Sequence, residues 1–281
     1  MENILFAADL SVSNEQALIR AIQLARYSSA KLNVIHVAPV RYISGATAEQ
    51  EQRPEAAERK LAQFIEPHIG ETRIKHAMYV ERGGRVYEHI VEYAKALGAD
   101  LTVIGGDGGA RLNTTAGLST TERIVLRTYS PVLVVSKLAT GFYENIRVVV
   151  ERGEQFRNIV EPAISLGPHT HFQIFRRSTI KSGANDLISR FRLKVGDWRF
   201  NKLVAYAENV AGMRDLPGHK VSARVLEYAD IVSDEFIDTI GTADAISLPS
   251  VATNAFHPQL PNEVHALLKA RPCDILFRGH R

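Results

Sequence analysis

Cysteine, tryptophan and methionine are scarce: one, one and three in 281 residues. A lone Cys273 excludes an internal disulfide, which fits a reducing compartment. Long apolar runs are missing too. Without 18 consecutive apolar residues, no membrane-spanning helix is expected. The chain starts Met1-Glu2-Asn3 and enters an apolar run directly, so no secretory leader is expected and the location should be cytoplasmic. Nor is there an excess of one charge. Lys and Arg number 34 against 31 Asp and Glu, a net charge of +3. Residues 1–140 hold 16 basic and 15 acidic side chains, and the remainder 18 and 16. Neither half is a polycation, so nucleic-acid binding gains no support. The 45% hydrophobic and 23% charged content is that of an ordinary globular chain, long enough for one large or two ordinary domains.

The most informative stretch is Leu101 to Val135. Leu101–Ile104 is apolar without alternation, as in a parallel strand buried on both faces. It runs into Gly105, Gly106, Asp107, Gly108 and Gly109, then a polar loop with Gly117 near its end. Ser119-Thr120-Thr121-Glu122 is a Ser-x-x-Glu capping box, predicting a helix that ends near Tyr129. Ser130-Pro131 leads to a strand at Val132–Val135. Strand, glycine loop and helix N-terminus together can cradle a phosphate, through close backbone approach and unpaired N–H groups. No Gly-Lys-Ser/Thr follows, so this is not a Walker loop. The helix starts too far beyond the glycines for the dinucleotide fingerprint. The same residues also suit a strand-to-helix loop that binds nothing.

The preceding residues alternate between two periods. Ile4–Ala8 reads as a strand ending at Asp9. Ser13 with Gln16 reads as a capping box before Ala17, Leu18, Ala21, Leu24 and Ala25 at helical spacing. Lys31–Val37 is a second strand; His36 within it is expected to pack rather than ligate. Pro39 to Arg53 reads as a mobile connection. Pro54 suits the first position of a helix carrying Ala57, Leu61, Phe64 and Ile65. His76–Val80 is a third strand, broken by Gly83-Gly84. Val86, Ile90, Val91 and Ala94 line a helix closed by Gly98. Five strands alternating with four helices imply a doubly wound, Rossmann-like, mainly parallel sheet. Such sheets bind ligands outside the carboxyl ends of their strands at the switch point. Asp9, Val37 and Gly105 end three of them.

At these residues the chain resembles the universal stress protein family over positions 3–137. The family's Gly-x-x-Gly, nine residues, Gly-Ser/Thr pattern is matched by Gly105-Gly106-Asp107-Gly108 and Ser119. Leu118 stands where the family has glycine, with Gly117 one place early. Ser-x-x-Glu-Arg-Ile, Ser-Pro-Val-Leu-Val-Val, Ile4–Asp9 and Val34–Val37 are also similar. The resemblance implies ATP, with or without Mg²⁺, at Asp9 and Val37 for adenine, and Gly105, Gly106, Gly108, Gly109, Ser119 and Thr120 for ribose and phosphates. For Asp9 and Ser119, plain capping is the alternative role.

Gly141 to Asn145 opens a second unit. Ile146–Val150 repeats the first strand. Phe156, Ile159, Val160, Ala163 and Ile164 fit a helix face, provided Pro162 lies in its first turn. Strands are expected at His171–Phe175 and Ser222–Leu226. Helix faces are expected at Phe200, Leu203, Val204, Ala207 and Val210, and at Ile231, Phe236, Ile237 and Ile240. Gly98–Ile104 corresponds to Gly241–Leu248 with one residue inserted, and Pro131–Val134 to Cys273–Phe277. A repeat of about 140 residues indicates a duplicated domain. The expected domains are 1–140, with the glycine loop, and 141–281, a degenerate copy. In the copy Glu151 replaces the aspartate, Pro249-Ser250-Val251-Ala252-Thr253-Asn254 replaces the glycine loop, and Pro261-Asn262-Glu263 starts the last helix. Proline fixes φ and removes a donor, so no nucleotide is expected there. His169 and His171 could chelate only with a third ligand, which is not identifiable, and Cys273 beside Asp274 reads as buried structure. No metal site and no catalytic constellation is expected.

The resulting expectation is a stress-response protein that binds ATP in its first domain, hydrolyses it slowly at most, and forms homodimers. It engages neither membrane nor nucleic acid, and its protein partners are unspecified. An interaction module without nucleotide is the rival, and a nucleotide hydrolase or transferase on the same scaffold is a third class.

Overall fold

A computed structural model describes residues 1–39, 54–70, 72–106, 118–150, 157–167, 170–178, 205, 220–227, 243–248, 260 and 262–278. The chain divides into two compact units, Met1–Thr140 and Gly141–Arg278.

In the first unit the strands are β1 (Asn3–Ala8), β2 (Lys31–Ala38), β3 (His76–Arg82), β4 (Leu101–Gly105) and β5 (Val132–Val135). Between them lie helices α1 (Glu15–Ser28), α2 (Pro54–Ile69), α3 (Val86–Ala96) and α4 (Thr120–Arg127). All pairings are parallel, in the order β3-β2-β1-β4-β5. The continuous apolar strands are those with a neighbour on each side and helices on both faces: Ile4, Leu5, Phe6, Leu32, Val34 and Val103 have no measurable exposure. The edge strand β3 instead alternates exposed and half-buried residues. Helix α1 packs on β1, β2, β4 and β5 and meets α2; α3 packs on β1 and β2 and meets α4. The two helix pairs cover opposite faces, as right-handed crossovers require when the chain winds first toward β3 and then back toward β5.

Local signals account for most boundaries. Pro54 opens α2, and Gly98 at φ 57° follows α3. Helix α4 stops at Arg127 rather than near Tyr129. Thr128, just beyond it, is extended, and its hydroxyl bonds back to the Ile124 carbonyl at 2.7 Å. The Ser13–Gln16 capping box does not form. Residues Val12–Asn14 make a 3₁₀ turn instead, Ser13 Oγ pairs with Ser11 Oγ at 2.9 Å, and Gln16 Oε1 accepts from the Ala139 amide at 3.2 Å. The 3₁₀ turn delays the helix to Glu15, which removes Ser13 from the N-cap.

The second unit holds β6 (Asn145–Val150), α5 (Arg157–Ile164), β7 (His171–Ser178), β8 (Lys220–Glu227), β9 (Ala245–Leu248), α6 (Asn262–Ala270) and β10 (Asp274–Phe277). Its parallel order is β8-β7-β6-β9-β10, the same winding as the first unit. The likeness extends to single hydrogen bonds. Asp100 Oδ2 accepts from the amides of Glu2 and Asn3; Asp244 Oδ2 accepts from those of Glu144 and Asn145 at 2.7 and 2.8 Å. The Glu2 carbonyl receives Lys31 N at 2.8 Å, and the Glu144 carbonyl receives His171 N at 2.7 Å. The tripeptide Glu-Asn-Ile begins both units. Pro162 lies in the second turn of α5, not the first, and the helix closes two residues later, where Ser165 N reaches the carbonyls of Glu161 and Pro162. The helices expected around 200–210, apart from residue 205, and 231–240, and the connection at 40–53, fall outside the described residues.

Candidate functional site

The chain reverses its winding between β1 and β4, so a crevice opens where these strands end side by side. Asp9 stands just past β1. Its Oδ1 accepts from Ser11 N at 2.8 Å, an Asx turn that carries Leu10 into the left-handed region at φ 59°. The Asp9 side chain remains exposed at the mouth. Its own amide donates to Asn14 Oδ1 at 3.2 Å.

Asn14, absent from the residues expected by sequence, joins the two strand ends. It is 3% exposed, and its amide group lies against Gly105 at the end of β4. A β-carbon on Gly105 would stand 2.6 Å from Asn14 Nδ2. Gly105 is not at positive φ, so it is required by close approach and not by backbone conformation. No sequence pattern marks Asn14, because its neighbour across the crevice is about ninety positions away.

Val37 runs one residue beyond the last β1–β2 pair, Ala8 with His36, and so borders the crevice. The next carbonyl, Ala38, is taken by Gly83 N at 3.0 Å. His36 is 7% exposed and its Nδ1–H donates to the Ala8 carbonyl at 2.8 Å, a packing role at the base of the crevice. Gly106 differs from a cradle residue in one respect: its N–H bonds the Val135 carbonyl at 2.8 Å and extends the sheet. Gly108 and Gly109 lie outside the described residues.

The far side of the loop is set by α4. Ser119 Oγ accepts from Glu122 N at 3.2 Å, and Glu122 Oε2 accepts from Ser119 N at 2.6 Å, the reciprocal box read from sequence. This consumes two of the donors at the helix start. The Thr120 and Thr121 amides have no partner among the described residues and remain at the positive end of the helix dipole. Leu118, in the glycine place, is half-buried just before the Ser119 cap. Its carbonyl accepts from Arg123 Nε at 2.9 Å. Among the described residues no group of three His, Cys, Asp or Glu could hold a metal, and no helix is long and apolar enough to cross a membrane.

In the second unit Val150 ends β6 and Leu248 ends β9, the counterparts of β1 and β4. Glu151 and Pro249 follow them, outside the described residues, as does His169. Cys273 is buried and in no disulfide; Asp274, also buried, accepts from the Tyr143 hydroxyl at 2.6 Å.

A parallel doubly wound sheet, with its switch point between a strand-1 aspartate and a capped helix, defines a Rossmann-like α/β domain. Residues 1–136 match the universal stress protein family. The first unit of the chain belongs to that family. Over the whole chain the fold is similar to the crystal structure of a universal stress protein from Archaeoglobus fulgidus DSM 4304, at 14% identity and TM-score 0.65, covering 99% of this chain and 96% of that one. A functionally unknown protein from Pseudomonas aeruginosa PAO1 is similar over 99% of this chain and 92% of its own, at 14% identity and TM-score 0.64. No curated protein matches the chain.

Proposed function

We propose that the first unit binds an adenine nucleotide, ATP, in the crevice between β1 and β4, and that the chain serves a regulatory role in the cytoplasmic stress response. One observation carries the reading. Asp9, the end of β2 at Val37, the end of β4 at Gly105 and the start of α4 at Thr120 and Thr121 share the carboxyl-end edge of one sheet. A base and ribose suit the strand ends, where a carboxylate and main-chain groups accept and donate. An anionic phosphate suits the helix start, where the Thr120 and Thr121 amides have no partner among the described residues and the dipole is favourable. Among Gly105, Gly106, Gly108 and Gly109, the Gly106 N–H is already held by the Val135 carbonyl and is not a phosphate donor in this reading.

The second unit, 141–281, is then a degenerate copy without nucleotide that serves as a packing or regulatory partner, and the chain forms homodimers. Among the described residues at the strand ends none is an activated nucleophile or part of a paired acid and base, and the reading includes slow ATP hydrolysis at most.

Titration calorimetry with ATP on the intact chain tests the site. One site per chain is expected, weakened at least tenfold in Gly108→Ala. No heat at millimolar ATP would remove the reading and leave the interaction-module alternative. Phosphate release measured with and without Mg²⁺ separates binding from hydrolysis.

A further inference from the structure

The peptide group joining Leu118 to Ser119 leads into the N-cap of α4, at the exit of the glycine loop. Both of its polar atoms are held by consecutive side chains of that helix. Its N–H donates to Glu122 Oε2 at 2.6 Å, and its carbonyl accepts from Arg123 Nε at 2.9 Å. The first bond belongs to the capping box. The second does not, since the carbonyl before an N-cap has no place in the helix ladder or in the box. Arg123 is in turn held from outside. Its guanidinium carbon lies 5.4 Å from the centroid of the Tyr87 ring, and that ring is also 5.0 Å from the Arg127 guanidinium. Tyr87 is buried on α3, the neighbouring helix.

We propose that Arg123 is a positioning residue for the phosphate end of the nucleotide site: braced on Tyr87, it fixes the Leu118–Ser119 peptide plane and thereby the direction of the loop exit. This rests on the nucleotide reading above. With the plane locked, the Leu118 carbonyl stays on the guanidinium side and cannot turn its negative end toward an anion. The Thr120 and Thr121 amides are presented without a reordering cost on binding. The role needs arginine in particular. Lysine keeps the charge but has no Nε–H beside a planar fork that stacks on a ring.

The test compares ATP with adenosine by calorimetry on the intact chain, using the wild type, Arg123→Lys, Arg123→Gln and Tyr87→Leu. Both Arg123 variants should lose about tenfold in ATP affinity and less than about twofold in adenosine affinity, with Tyr87→Leu between them and the wild type. Unchanged ATP binding in Arg123→Lys would overturn the proposal, because charge alone would then suffice. Equal losses for ATP and adenosine would also overturn it, as the mark of a general packing defect. A wild type that binds neither ligand would instead sink the nucleotide reading, and this proposal with it. Amide exchange at Ser119 gives a ligand-free readout: it should quicken in Arg123→Lys, and an unchanged rate would refute the brace.

Discussion

At the scale of single residues the first unit depends on a contact that only folding creates. Asn14 fills the space that Gly105 leaves empty, and it ties the end of β1 to the end of β4. Gly105→Ala drives a methyl into a side chain with almost no room to turn. The expected cost is about 1–3 kcal/mol of stability, as for other overpacked sites, with weaker nucleotide binding. Chemical denaturation of the variant measures the cost. Adding Asn14→Ala should recover part of the stability lost in Gly105→Ala, because the two residues share one space. A simple sum of the two losses would contradict the contact.

At the scale of elements, α3 is tied to β3 by an ionisable pair. The Tyr93 hydroxyl donates to Glu81 Oε1 at 2.6 Å, and the ring leans on Tyr79 with centroids 5.1 Å apart. The hydrogen bond to Glu81, followed by burial, pushes the Tyr93 phenol up to about 12 from the usual 10. Between those values the unfolded chain has lost this proton while the folded chain keeps it. The unfolded state therefore binds fewer protons there, and stability falls as pH rises. The contribution is fully present below pH 10 and gone above about 12. Denaturation midpoints should thus decline across that window in the wild type. Tyr93→Phe should show a shallower decline, with one fewer late-titrating phenol in the ultraviolet spectrum.

At the scale of the whole molecule, two units share one winding order and one way of anchoring their first strands. In each, an aspartate preceding the fourth strand receives two amides from the segment that opens the unit. Removing it should cost about 1–3 kcal/mol, as for hydrogen bonds to charged groups. The loss should be confined to its own unit. In Asp100→Ala, hydrogen exchange should quicken at Glu2 and Asn3 and not at Glu144 and Asn145; Asp244→Ala should do the reverse. A uniform change across both units would argue against independent anchors.

Much of this architecture could be read from residue order. Alternating strand and helix periods, the buried character of Leu101–Ile104 and Val132–Val135, and the Ser119–Glu122 box are local properties. Side-chain period and capping chemistry operate within four residues, so sequence alone determined them. The doubly wound class and the strand ends at Asp9, Val37 and Gly105 followed from the same patterns. Local reasoning failed where a partner lies far along the chain. The Ser13–Gln16 box gave way to a 3₁₀ turn, with Ser13 turned to Ser11 and Gln16 to the Ala139 amide. The reason for Gly105 is Asn14, and the brace on Leu118 runs through Tyr87 on another helix. Only the tertiary structure decided these, because close packing sets which distant side chains share a space, and that geometry leaves no periodic trace in the sequence.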